Sequence, residues 1–277
     1  MIVEIFDVEH GQCALIRSRT APGIAMVDCG HNATTGWRPS AHMQYHLHRR
    51  DLEALFLTNA DQDHFSDLAD VVANLQIKTL FRNPALEPEH FRRMKVENGG
   101  LTNDAQAYLD LVRRYNAPVV TPFNQAMGGI ACRTYRNGYD EFQDTNNLSL
   151  VVFLEWNGFR ILFPGDLEPA GWQALLRRQD FRHDLAGTTV MLASHHGRST
   201  GLCDDVFDHA NPLAVIISDK DPIHDTQGTF GDYCRVVPIG VNVHGKAQPQ
   251  KVLTTARHGW IQIVAHDATH FDVRSQR

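Results

Sequence analysis

Short apolar runs, most of them closed by Gly, Pro, Asn or Asp, alternate along this chain with amphipathic stretches of helical period. Ile2–Phe6 and Cys13–Arg17 read as strands around a hairpin loop at Glu9-His10-Gly11. A third strand, Ile24–Val27, runs into Asp28-Cys29-Gly30-His31-Asn32, so the opening is antiparallel in character. Trp37–Arg50 carries His42, His46 and His48, and the first two share a face if that segment is helical, where surface or half-buried histidines are the default reading. Leu52–Thr58 reads as a buried strand and Asp67–Leu75 as a helix with Leu68, Val71, Val72 and Leu75 at helical spacing. After a short strand at Thr79–Phe81 the pattern assigns no element to residues 83–100. Asp104–Tyr115 is a firmer helix, and its stripe of Tyr108, Leu111, Val112 and Tyr115 reads as packing, not as a base-stacking platform.

Strand-like runs return at Pro118–Val120, Ile130–Tyr135, Leu148–Trp156 and Arg160–Phe163, the last two joined by the tight-hairpin pair Asn157-Gly158. Pro169 opens a helix that places Trp172, Leu175 and Leu176 on one face. Thr188–Leu192 and Leu213–Ile217 are further buried strands, and Lys251–Thr255 with Trp260–Val264 form a final hairpin-like pair. Hairpins interleaved with helices predict two sheets with helices packed outside, an α/β protein.

The length of 277 residues suffices for a sizeable core, and no linker, low-complexity tract or internal repeat marks a boundary, so a single domain over 1–277 is expected. No apolar run is long enough to span a bilayer, and the first residues do not read as a signal peptide. Cys13, Cys29, Cys132, Cys203 and Cys234 are odd in number and scattered, which excludes a cysteine-zinc pattern and a disulfide framework and predicts a cytoplasmic location. A formal net charge of −6 provides no broad basic face, so tight non-specific binding of duplex nucleic acid is not expected.

Three times an apolar strand stops and hands over to potential ligands: Asn59-Ala60-Asp61-Gln62-Asp63-His64 after Leu52–Thr58, Asp166 after Phe163, and His195-His196 after Leu192. Asp61 and Asp63 have no Lys or Arg beside them in sequence, and two carboxylates in a partly dry cleft need a cation. The plainer alternative is an acidic turn in which one of them caps the helix starting near Ser66-Asp67. The recurrence at strand ends favours a site in which one carboxylate bridges two cations.

The ordered motifs Phe6-Asp7-Val8 with Gly11, Val27-Asp28-Cys29-Gly30, Asn59 to His64, Asn146-Asn147-Leu148-Ser149-Leu150, Pro164-Gly165-Asp166-Leu167-Glu168 and Ser194-His195-His196-Gly197 resemble the metallo-β-lactamase fold. The likeness covers nearly the whole chain, through Leu253 to Trp260, and is nearest to the hydrolase domain of the ComEC competence proteins and their stand-alone relatives. It implies a four-layer αββα sandwich with the site at the shared edge of two sheets. It also implies Asp61, beside Asn59, as ligand to one ion, Asp63 and His64 to a second, Asp166 as the bridge, His195 or His196 completing the set, and His224 as a late ligand. The sequence departs from the family window at Asn59 and Asp61, where histidines are usual, and Asp144 to Asn147 offers oxygen in place of another. The resulting oxygen-rich half predicts one or two divalent ions, with Mn²⁺ or Mg²⁺ favoured over Zn²⁺, or an empty first position.

The expected function is a metal-dependent phosphodiesterase or nuclease in which Asp63, Asp166 and His195 act on a metal-activated water and Arg198 clamps phosphate. Its substrate is expected to be a single-stranded nucleic acid or a nucleotide. The alternatives are a catalytically degenerate subunit that binds a protein partner, marked by Asn59, and lactam or thioester hydrolysis, which the missing histidines disfavour.

Overall fold

The structure, a computed structural model, describes residues 1–97, 99–119, 121–220 and 227–277. In the first half the strands are β1 (Ile2–Ile5), β2 (Ala14–Arg17), β3 (Ile24–Val27), β4 (Asp51–Leu52), β5 (Ala54–Phe56), β6 (Gln76–Ile77) and β7 (Leu80–Phe81). In the second they are β8 (Ala131–Tyr135), β9 (Val151–Trp156), β10 (Phe159–Phe163), β11 (Val190–Leu192), β12 (Ala214–Ile217), β13 (Val252–Thr254), β14 (Ile261–Ala265) and β15 (Phe271–Ser275). They form a seven-stranded sheet in the order β15-β14-β1-β2-β3-β5-β7 and a six-stranded sheet in the order β13-β12-β11-β10-β9-β8, with β4 and β6 as a small parallel pair.

The expected antiparallel opening is present: β1, β2 and β3 form a meander, and β1 also pairs with β14, Ile2 lying opposite both Arg17 and Val264. The Asn157-Gly158 hairpin is present as well. Both residues have positive φ, 52° and 82°, which a two-residue turn matched to strand twist requires.

Alternation decides which side each strand residue faces. Val152 and Leu154 of β9, with Ile161 and Phe163 of β10, point between the sheets and meet Val3, Ile16, Val27 and Phe56 from the other sheet. Val151, Phe153 and Leu162 point the other way. Both faces of these strands are therefore apolar, which is why they read as near-continuous runs. Each such side chain contributes roughly 1.5–3 kcal/mol by leaving water. Ile161→Ala would cost about 2–5 kcal/mol at the centre of the inter-sheet layer.

Ten α-helices are described. α1 (Pro39–Ala41), α2 (Gln62–Phe65), α3 (Leu68–Asn74), α4 (Pro88–Glu97) and α5 (Asn103–Arg114) come first, α6 (Phe123–Ala126), α7 (Pro169–Leu176) and α8 (Gln179–Ala186) follow, and α9 (Phe230–Val236) and α10 (Thr255–His258) close the series. Phe65, Leu68, Phe91 and Tyr108 carry α2 to α5 onto the outer face of the seven-stranded sheet, so the tyrosine stripe is core as expected. Trp172, Leu175, Phe181, Leu185 and Tyr233 carry α7, α8 and α9 onto the outer face of the other. The layers are thus αββα.

Two expectations need correction, and two stretches left open are settled. Lys251–Thr255 and Trp260–Val264 are not a hairpin: β13 runs parallel to β12 in one sheet and β14 antiparallel to β1 in the other. The turn α10 and Gly259 carry the chain across, and an apolar alternation cannot say which sheet it joins. Pro118 and Val119 lie in no strand, and Val120 is outside the described residues. Residues 83–100, left unassigned, contain α4. Trp37–Arg50 is helical only over Pro39–His46, where His42 and His46 do share a face, their rings 5.2 Å apart.

Candidate metal centre

In the six-stranded sheet β10, β11, β12 and β13 run parallel, so their carboxyl ends reach one edge together. β3 and β5 are parallel in the facing sheet, and the same edge receives their ends. The two sets are joined there by the hydrogen bond from Leu150 N to Thr58 O, and within the six-stranded sheet His195 N donates to Gly165 O. Loops leaving strand ends are where polypeptide is free to present polar groups, and a cleft of about 470 Å³ opens on this edge.

After β5 the chain enters α2, which carries Asp63 and His64. The hairpin after β1 crosses over that backbone. Gly11, at φ +143°, lies so close that a β-carbon there would stand 2.5 Å from the Asp63 carbonyl oxygen, and Gln12 N and Cys29 N donate to Asp63 O and His64 O. Neither Asp61 nor Asp63 caps a helix through its side chain, so the plain capping alternative fails.

One ligating atom from each of Asp63, His64, Asp166 and His196 lies within 4.8 Å of the other three. His64 Nε2 is 2.9 Å from Asp166 Oδ1, and its Nδ1 is 2.9 Å from Asp28 Oδ2. Asp28 is wholly buried and also accepts from the backbone N–H and hydroxyl of Thr58. If Nδ1–H donates a hydrogen bond to Asp28, the Nε2 lone pair of the neutral ring faces an anionic oxygen, an arrangement that needs a proton or a cation between them.

His196 makes the same point more strongly. It is buried, and neither ring nitrogen has a hydrogen-bond partner. Its Nε2 stands 3.0 Å from Asp63 Oδ2 and 3.5 Å from Asp166 Oδ1, without hydrogen-bond direction. An imidazole aimed at two carboxylates but bonded to neither fits a divalent ion.

Electrostatics agree. Burial opposes ionisation of Asp63 and Asp166, but His196 and His64 outweigh it and hold both carboxyls below the usual carboxylate range. Burial likewise disfavours charge on the imidazoles, yet the carboxylates, Asp166 foremost, lift His64 well up and His196 to about 10. The cluster gathers positive charge, as protons that a divalent ion would displace.

The other expected residues are placed as follows. His195 lines the cleft without joining the cluster, and its Nδ1 is 3.0 Å from Thr200 Oγ1. Of the two histidines it is therefore His196 that the fold turns inward. The backbone does this by holding His195, His196 and Gly197 in succession at positive φ, 50°, 54° and 76°. Asp61 also lines the cleft outside the cluster, its oxygens 2.6 Å from Lys95 Nζ and from Thr145 Oγ1. Asn59 is buried and accepts the Asp61 N–H on its side-chain oxygen at 2.8 Å. His224 lies outside the described residues.

Sequence reasoning missed Asp28, His10, Asp219 and Lys95. His10 Nδ1 is 3.0 Å from Asp219 Oδ1, its Nε2 accepts from Arg198 Nη2 at 3.1 Å, and its ring meets that of His196 edge-on. Burial resists charge on Asp219, but His10 and Gln227 hold its carboxyl low. The strand-end rule, extended to β1, β3 and β12, would have found all but Lys95.

No family model matches the chain, and no curated protein matches it. Among solved structures, the chain is similar to a metallo hydrolase from the hyperthermophilic archaeon Ignicoccus hospitalis, with 10% identity and a TM-score of 0.52 over 96% of this chain and 100% of that one. Weaker likenesses are to a diphosphatase of the PhnP family (9% identity, TM-score 0.44, 95% and 98% covered) and to a metallo-β-lactamase family protein from Thermus thermophilus (16%, 0.32, 63% and 63%). At such identities the likeness is one of fold. The αββα sandwich is that of the metallo-β-lactamase fold, as the motifs led one to expect.

Proposed function

We propose that this chain is a metal-dependent hydrolase of phosphodiesters, with Asp63, His64, Asp166 and His196 holding a divalent ion at the floor of the cleft. The observation that carries the reading is His196, a buried imidazole with no hydrogen-bond partner, pointed at two carboxylates. A bound ion would supply a Lewis acid and water of lowered pKa. Asp28 fixes the ring of His64, and buried Ser149 donates nothing to the cluster but accepts from Asp166 N through its Oγ, fixing the turn after β10. Asp63, with its side chain a quarter exposed, orients the attacking water. Arg198 stands beside the cluster with a buried Nε that has no partner, and it clamps a phosphate oxygen there.

Two imidazoles with two carboxylates suit Mn²⁺ or Zn²⁺ better than Mg²⁺. The narrower likeness to ComEC-type hydrolase domains supports a nuclease or phosphodiesterase acting on single strands or nucleotides. The five cysteines are free, which supports a cytoplasmic location, and no helix among the described residues is long and apolar enough to cross a membrane.

A screen of Mn²⁺, Zn²⁺ and Mg²⁺ against bis-p-nitrophenyl phosphate and single-stranded nucleic acid tests this reading. Hydrolysis that depends on metal and disappears in Asp63→Ala is expected. A second reading, a degenerate subunit that binds without hydrolysing, is favoured by the engagement of Asn59 and Asp61 in protein contacts. Metal binding with no turnover of any substrate would select it.

A further inference from the structure

Asp61, just before α2, and Asp63, in its first turn, line one cleft, yet only Asp63 joins the cluster. Lys95 accounts for the difference. It projects from α4 with its side chain 15% exposed, its Nζ 2.6 Å from Asp61 Oδ1. The ammonium also sits over the rings of Phe91 and Phe65, 5.5 and 5.9 Å from their centroids. Phe91 is one turn before Lys95 on the same helix face and wholly buried, so the anchor that seats the helix also aims the lysine.

Every oxygen that a second ion would need around Asp61 is already accepting. Asp61 Oδ1 takes Lys95 and Oδ2 takes the Thr145 hydroxyl, each at 2.6 Å. Asn59 Oδ1 takes the Asp61 N–H, while its Nδ2 is directed at Ser149 Oγ, Asn146 Oδ1 and Thr145 O, 3.2–3.4 Å away. Charge balance gives this arrangement a purpose. A divalent ion in the cluster offsets Asp63 and Asp166, and a third carboxylate left bare would repel an anionic substrate.

We infer that Lys95 takes the place of a second metal ion: paired with Asp61, its ammonium neutralises that carboxylate and closes the half-site, so the cleft holds one divalent ion per chain. Lys95 is a positioning residue, acting through Asp61. The inference rests on the metal site proposed above.

Equilibrium dialysis of the full chain against saturating Mn²⁺, followed by elemental analysis, tests it without any substrate. One ion is expected in the wild type and in Lys95→Arg, which keeps the charge. Two are expected in Lys95→Met, which frees Asp61 while preserving length. Two ions in the wild type, or one in a folded Lys95→Met, would overturn the inference and leave the metal site standing. No ion in the wild type with Mn²⁺ or Zn²⁺ would overturn both. Should Lys95→Met not fold, Asp61→Asn decides: affinity for the single ion changes by less than about threefold if Asp61 is no ligand, the scatter usual between independent sites. A larger loss overturns the inference.

Discussion

The two halves of the cleft centre on carboxylates only two residues apart, Asp61 and Asp63, and they differ in what those carboxylates meet. Around Asp63, two imidazoles face two carboxylates with nothing else to pair them: His64 Nε2 and His196 Nε2 look at Asp166 and Asp63, and His196 meets them without hydrogen-bond direction. Around Asp61, each acceptor has a donor from Lys95, Thr145 or the backbone. Acid density alone therefore does not mark a metal site. What distinguishes the Asp63 half is a set of buried imidazoles and carboxylates that have no donor from the rest of the protein and so hold protons between them, which a divalent ion would displace.

That contrast can be broken by substitution. The largest effect is expected at Asp166, which touches both imidazoles. Asp166→Ala should lose metal binding by more than the roughly 100-fold seen when a supporting group is removed, and hydrolysis with it; dialysis and the phosphodiester assay read both. Next comes Asp28→Asn, which keeps the shape around His64 but weakens its orientation. Metal affinity should fall about 10–100-fold by titration calorimetry. Arg198→Gln should raise KM about tenfold with little change in metal content, since a charged hydrogen bond to phosphate is worth roughly 1.5–3 kcal/mol. The smallest effect belongs to the closed half. Thr145→Val should leave metal affinity unchanged and lower denaturant stability by about 1 kcal/mol, the ordinary value of one hydrogen bond. If Thr145→Val and Asp166→Ala altered metal binding alike, the distinction between the halves would be lost.

Much of this was readable from the amino-acid order. β5, β10 and β11 end shortly before Asp63, Asp166 and His196, so apolar runs that stop at acidic or imidazole residues pointed to the edge on which this candidate cluster lies. The choice between His195 and His196 was not readable, because it depends on consecutive left-handed residues that only glycine or asparagine would have announced. Asp28 also has positive φ, 56°, and its role required knowing that β3 lies beside β5. Lys95 was hidden for a different reason. It comes from a helix more than thirty residues beyond Asp61, in a stretch of weak periodicity, and sequence distance is no guide to a contact made by tertiary packing. The misread final pair, β13 and β14, shows the same blindness at the scale of whole sheets.

The register that sets Ile2 against Val264 has a consequence for how the molecule is made. β1 can close onto β2 as soon as their hairpin emerges from the ribosome, but its other edge waits for β14, which lies far along the chain, Val264 opposite Ile2. Until then it is an open template on which another nascent chain can add a strand. Refolding should accordingly be slow and sensitive to concentration, with dilute or chaperone-assisted conditions recovering what crowded ones lose to aggregation.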